Sequence, residues 1–381
     1  MSILAPVCQS ILRPVAQSIS AVLGTSGFSP TSLFPASEQG AWYDPSDFAS
    51  MFTDSIGTTP VTAVGQVVGL LLDKRKGLVR GAETVTNGDF ANGATGWTAG
   101  AGIAITDLAT FTASNSILST STAMQAGKTY ELTADIGFTS GGLQVRFGGA
   151  SAGYSTGNAG KLRLIAASSG GLLEFVGTGL NATLDNISVK LLDGNHATQA
   201  TTAATPLAET GGSEGLDGVD DYQNSTTGGA GTAGFFFCAG VKATGGAATA
   251  RTIFGDAGTN AGYRVRINAS NQLELAAGNG IAFTTIATVA TVTVGTTYVI
   301  TAWDDGTNLN VQVNSNAVAS VARPVVTAGT AAITLGRDNG AATSYFTGSL
   351  FPCVYRQGSG LTAAQRTDTK NYVAGKCGVV L

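Results

Sequence analysis

The period of the apolar positions changes along the chain, and each change marks a different kind of element. Near the N-terminus Leu4, Val7, Ile11, Val15, Ile19 and Val22 recur at steps of three and four, the period of one helix face. Pro6 and Pro14 shorten or kink that short amphipathic helix, whose stripe serves either its own domain or a neighbouring subunit of an assembly. From KTYELTADIGF (128–138) onward the period falls to two, through GLQVRFGG, KLRLIAA, GLLEFVGTG and ATLDNISVKLL. Strands at this spacing with glycine turns predict a β-sandwich over 82–192. A second series starts at EGLDGVDDYQ (214–223), and its joints NASNQ and WDDGTN carry hairpin-turn residues. At the end LTAAQRTDTKNYVAGKCG returns to a helical pattern marked by Leu361, Gln365 and Tyr372, with Gly375 or Gly378 as its stop.

The fold class expected is therefore all-β: two jelly-roll β-sandwiches in tandem behind an N-terminal arm, with one C-terminal helix. The divisions are an arm (1–38), a connector with an Asp/Ser-capped short helix and strands (39–81), the first sandwich (82–192), a polar linker (193–213) and the second sandwich with its helix (214–381). Composition supports this. Of 381 residues only 12% are charged, 43% are apolar and 53 are glycine, which suits sheets and tight turns better than charged helical surfaces. A net charge of −4, with Lys74, Arg75 and Lys76 as the one basic run, leaves no electrostatic footprint for nucleic acid. The N-terminal stretch lacks a basic n-region and Gln9, Ser10, Arg13, Gln17 and Ser18 interrupt it, so neither a signal peptide nor a membrane span is expected. Cys8, Cys238, Cys353 and Cys377 lie far apart without metal-ligand spacing and are expected as free, mostly buried thiols, with a Cys353–Cys377 bridge the minor alternative. Assembly in a cytoplasm fits that better than secretion.

Several stretches resemble known families. LDGVDDY, the YRVRINASNQLEL hairpin, YVITAWDDGTNLNVQVN and the late helix are similar to a laminin-G-like or concanavalin A-like jelly roll. NGDFANGATGW at one end of the first sandwich and LDNISVK at the other resemble the brackets of a carbohydrate-binding-module-type jelly roll. GAWYDPSD, TTPVTAVGQVVGLLLDKRKGL and GNHATQATTAATPL resemble structural proteins of tailed bacteriophages, in which the DKxxGL element runs almost straight on to GNHATQ. The resemblance implies that the first jelly roll is inserted in that frame, with its two ends close in space. It implies a virion protein of tail-fibre or tail-spike type, homotrimeric, assembled in the host cytoplasm. Its arm would dock on tail or portal-adaptor components, its sandwiches would meet host-surface glycan, and no nucleic acid or membrane insertion is involved. A capsid decoration or head-fibre protein and a bacterial glycan-binding adhesin or lectin are the alternatives.

Candidate chemistry is sparse. The single histidine, His196, lies in the polar linker, which suits a turn residue better than the base of a triad. The glutamates at 38, 83, 131, 174, 209, 214 and 274 form no acid pair on one strand face, and Asp304 and Asp305 are adjacent beside a turn glycine. No enzyme is expected and no cofactor is required. Asp89 and Asp185, and after them Asp217, Asp220 and Asp221, are the candidate ligands for a structural calcium, against the plainer reading of turn-capping carboxylates. Tyr154 and Tyr345, in Gly/Ser/Thr loops, are the candidate sugar platforms, whereas Trp97 and Trp303 are expected in the core.

Overall fold

The computed structural model describes residues 27–35, 38–147, 150–154, 160–228, 233–245, 249–255, 260–329, 332–338 and 344–381. Leu4, Val7, Ile11, Val15, Ile19 and Val22 lie outside the described residues. Among the described residues the fold is all-β with one α-helix, at the C-terminal end, and the strands form three antiparallel sheets.

Two of these sheets face each other. The first has eight strands, ordered Leu207–Glu209, Ser213–Asp217, Thr347–Gln357, Phe235–Ala243, Thr297–Asp304, Asn308–Val313 and Ala319–Ala322, with Gly40–Tyr43 also paired to Thr347–Gln357. Its partner has nine and runs from Met51–Phe52 through Leu70–Leu71, Ala197–Thr198 and Gln223–Gly228 to the hairpins of 251–291. Alternate residues point into the space between them, where Phe235, Phe237 and Tyr355 of one sheet pack on Phe254 and Tyr263 of the other. The other face of the eight-stranded sheet is apolar along half its length. There Phe236, Cys238, Val299, Trp303 and Val354 are roofed by Leu361 and by Val373 and Ala374 of the helix Ala363–Cys377. Thr362 and Gln365 form a reciprocal capping box at its start, and Gly378, with φ of 70°, ends it in the left-handed region.

The segments read from sequence as connector and linker thus supply strands to these two sheets. Residues 40–43 and 51–71 have too little apolar surface for a core of their own, so they bury it in the larger sandwich. The third sheet, nine-stranded, spans 80–192 and closes on Phe111, Leu132, Val145, Phe147, Phe175 and Leu184. Its entry and exit are paired residues, Arg80 opposite Leu192. Just outside them Asp73 N–H donates to His196 Nδ1 at 3.0 Å, and Asn195 N–H donates to Asp73 Oδ2 at 2.8 Å. The DKRKGL and GNHATQ stretches are therefore in direct contact. Ile165 and Leu192 also pack on Phe52, Leu70 and Leu72, which joins the third sheet to the second.

One expectation is corrected and one minor alternative falls. His196 is not a solvated turn residue: it is 1% exposed, and burial lowers its pKa, so the neutral ring ties the backbone of Asp73 to the carbonyl of Leu192. Cys353 and Cys377 cannot bridge, because Cys353 points into the core between the sheets while Cys377 sits on the helix against the opposite face. Cys238, Cys353 and Cys377 are all free thiols.

Candidate functional site

The helix covers only part of the outer face of the eight-stranded sheet. Its last turn ends where the strands pass Gly240 and Phe351: a methyl group on Gly240 would meet the β-carbons of Phe351 and Cys377 at 2.8 and 3.0 Å. Beyond that point the uncovered sheet forms a groove of about 570 Å³. The register of four strands builds its floor. Gly215 lies opposite Ser349, Ser349 opposite Lys242, and Lys242 opposite Thr297, so one polar row crosses the sheet. Their neighbours in sequence, among them Glu214, Leu350 and Val241, point the other way into the core.

Carboxylates stand at one end of this row. Glu209 accepts from the Ser213 hydroxyl at 3.2 Å and lies directly above Gly215, where an added methyl would come within 2.4 Å of Oε1. Glycine is therefore what lets the carboxylate reach the floor. Asp217, Asp220 and Asp221 bring carboxylate oxygens within 4.8 Å of one another. Asp217 Oδ1 accepts the backbone N–H of Val219, Asp220 and Asp221 at 2.7, 3.2 and 3.4 Å, and Asp221 Oδ2 accepts Asp217 N–H at 2.9 Å. Burial, reinforced by the charges of Asp217 and Asp220, pushes the Asp221 carboxyl up to about 6. Val64 and Leu207, 50% and 43% exposed, make an apolar rim. A concave, mostly uncharged groove with a few polar groups on a rigid sheet is suited to binding, since the floor is fixed before a ligand arrives.

The residues picked from sequence fall elsewhere, except the acidic triplet. Tyr154 ends the strand Ala150–Tyr154, opposite Leu143 in the third sheet, and Tyr345 is half-buried before the strand Thr347–Gln357, so they do not share a site. The backbones beside Asp89 and Asp185 do meet, through Ile187 N–H to Gly88 O at 2.8 Å. Their carboxylates turn onto their own loops, Asp89 towards Ala91 N–H at 3.3 Å and Asp185 towards Asn186 N–H at 2.7 Å. Trp97 is 6% exposed, against Phe90 and Phe175, and Trp303 is 9% exposed beneath the helix, with Arg366 over its ring. Sequence reasoning passed over Ser349, Thr297, Glu209, Gly215 and Lys242. Only Lys242 carried a signal, as the one charged residue in the strand FFFCAGVKA.

Residues 217–351 match the profile of the Concanavalin A-like lectin/glucanases superfamily. The strands Ser213–Asp217, Phe235–Ala243, Thr297–Asp304 and Thr347–Gln357 that carry the groove lie in or at the edge of that stretch. That stretch is thus similar to a concanavalin A-like jelly roll, and the outer face of its sheet carries the groove. No curated protein matches the chain. Among solved structures, the CBM40 domain of the Ruminococcus gnavus IT-sialidase is similar at 14% identity over 36% of this chain and 83% of that one, with a TM-score of 0.31. The binding domain of botulinum neurotoxin DC, solved with rat synaptotagmin II, is similar at 10% identity over 46% and 51%, with a TM-score of 0.33. A leech intramolecular trans-sialidase gives 14% identity over 37% and 24%, with a TM-score of 0.31. Likeness this distant carries no argument about ligands.

Proposed function

We propose that this chain is a non-enzymatic, glycan-binding structural protein of a tailed-bacteriophage virion, a homotrimeric tail-fibre or tail-spike-like subunit. Its N-terminal arm docks on the particle and its sandwiches face the host surface. The observation that carries the glycan-binding part is the groove: a rigid polar row with an apolar rim, on a sheet whose central strands fall in a lectin-superfamily match. Sugar hydroxyls pair well with Ser349, Thr297 and carboxylate oxygens, and C–H faces of a pyranose suit the Val64 and Leu207 rim. What supports the virion part is the phage-like frame of the sequence, whose DKRKGL and GNHATQ stretches lie against each other around His196.

A bacterial glycan-binding adhesin draws equal support from the lectin-superfamily match, and localisation separates the two. Immunogold against this chain on gently dissociated phage particles should label tails. Label on heads would select the decoration-protein alternative, and particles without label would end the virion reading. Binding is tested on a glycan array with the wild type and Thr244→Trp, which places an indole across the exposed lip of the groove. Wild-type signal that the variant lacks is expected; equal signal from both would move the site elsewhere.

A further inference from the structure

Among the described residues the groove is lined by one cation, Lys242, and its electrostatic situation differs from that of every acid around it. Glu209 has the Ser213 hydroxyl, Asp217 has three backbone amides, and Asp221 has the amide of Asp217. Lys242 stands half-buried in the floor between Ser349 and Thr297, and among the described residues no carboxylate lies within ion-pair distance of its ammonium. A charge partly withdrawn from water is ordinarily matched by an opposite one. Strand order keeps the acids apart from it. Asp217 is on the second strand of the sheet and Lys242 on the fourth, which at about 4.8 Å per strand separates their backbones by roughly 10 Å.

Building on the glycan-binding reading, we infer that the groove selects acidic sugars, with a carboxylate or sulfate of the glycan seated on Lys242 and hydrogen-bonded by the hydroxyls of Ser349 and Thr297. The remaining hydroxyls of that ring, and the next residue of the glycan, lie towards the Glu209 end of the row. Selectivity arises because a neutral ring leaves the Lys242 ammonium without a counter-charge, while an acidic one supplies it. Uronates and sulfated sugars share this chemistry, so both belong in the test.

The experiment is an array of oligosaccharides present in neutral, sulfated and uronate-containing forms, followed by titration of the full-length chain with the best matched pair. The acidic member should bind about tenfold tighter than its neutral counterpart, with affinity falling as salt rises. Lys242→Met should lower affinity for the acidic sugar far more than for the neutral one and so erase most of that difference, while Lys242→Arg should retain most of it. The two arms of the array, uronate and sulfate, tell which anion the site prefers. Equal binding of neutral and acidic forms by the wild type, or equal loss of both in Lys242→Met with the fold intact by circular dichroism, would overturn the inference. Neutral sugars that bind in a manner sensitive to Thr244→Trp would still uphold the glycan-binding reading. An array silent for every sugar would remove both.

Discussion

Glu214 offers a test of the packing between the two facing sheets. It lies on the strand Ser213–Asp217 but points inward, 2% exposed, and accepts Gln223 Nε2–H at 3.1 Å. Gln223 also donates to Val68 O at 2.9 Å, while its own Oε1 has no hydrogen-bond partner. Burial is the main reason the Glu214 carboxyl is pushed from 4.5 to about 8; Gln223 lowers it and the charge of Asp221 raises it. A folded pKa above the unfolded one means that this group's contribution to stability is complete below about pH 4.5. It is lost progressively as the pH rises from there through about 8, at about 1.4 kcal/mol per pH unit and on the order of 5 kcal/mol in all. Glu214→Gln removes the titration at nearly constant volume and offers Gln223 Oε1 a donor. Urea unfolding at pH 5, 7 and 8.5 should show the variant close to wild type at the acid end and several kcal/mol more stable at the basic end. Parallel stability curves for the two proteins would refute the argument, because the buried carboxyl would then contribute nothing to the pH slope.

Gly88 should tolerate no side chain: a β-carbon there would stand 1.8 Å from Ile187 O, so Gly88→Ala should cost about 3 kcal/mol in urea unfolding of the third sheet's sandwich. Trp97→Phe loses the 2.9 Å bond from Nε1–H to Asn87 O and should cost about 2 kcal/mol by the same assay while leaving glycan affinity unchanged. Removing residues 1–26 should abolish incorporation into particles yet leave thermal unfolding unaltered. The cut falls there because Leu33 and Phe34, at 1% and 5% exposure, pack with the C-terminal helix. Excising 79–192 and joining the flanks should leave a cooperatively folding protein with a lowered Tm and a tendency to self-associate. Phe52, Leu70 and Leu72 lose Ile165 and Leu192 as cover, and a non-cooperative melt would show that the larger sandwich depends on the inserted one.

Local pattern determined how much of this could be read in advance. The two strand series, the hairpin turns and the C-terminal helix depend on neighbours within a few residues, and each is where its period or turn chemistry put it. Asn271, at φ of 57°, makes the NASNQ turn, and Gly306, at 89°, makes WDDGTN. The 40–71 and 197–209 segments were harder. Their strands are two to four residues long, too short for a period to emerge, and they acquire a sheet only through partners such as Thr347–Gln357, some 300 positions away for the strand Gly40–Tyr43. His196 misled for the same reason: GNHATQ is polar in composition, but its imidazole is buried by residues around Asp73 that composition cannot place.

The groove was the least legible feature, and the cause is geometric. Its row joins Gly215, Lys242, Thr297 and Ser349, four residues spread over 135 positions, each unremarked in its own strand. Alternation shows that Lys242 and Ser349 face away from the core, but only the register makes them neighbours. Alternation also cannot say where a helix will cover that face. The helix covers the stretch carrying Phe236, Cys238, Val299 and Val354 because those outward positions are apolar, and it stops at Gly240, where the outward positions turn to Lys242, Ser349 and Thr297. The same outward residues that end the helix's apolar seat therefore begin the groove.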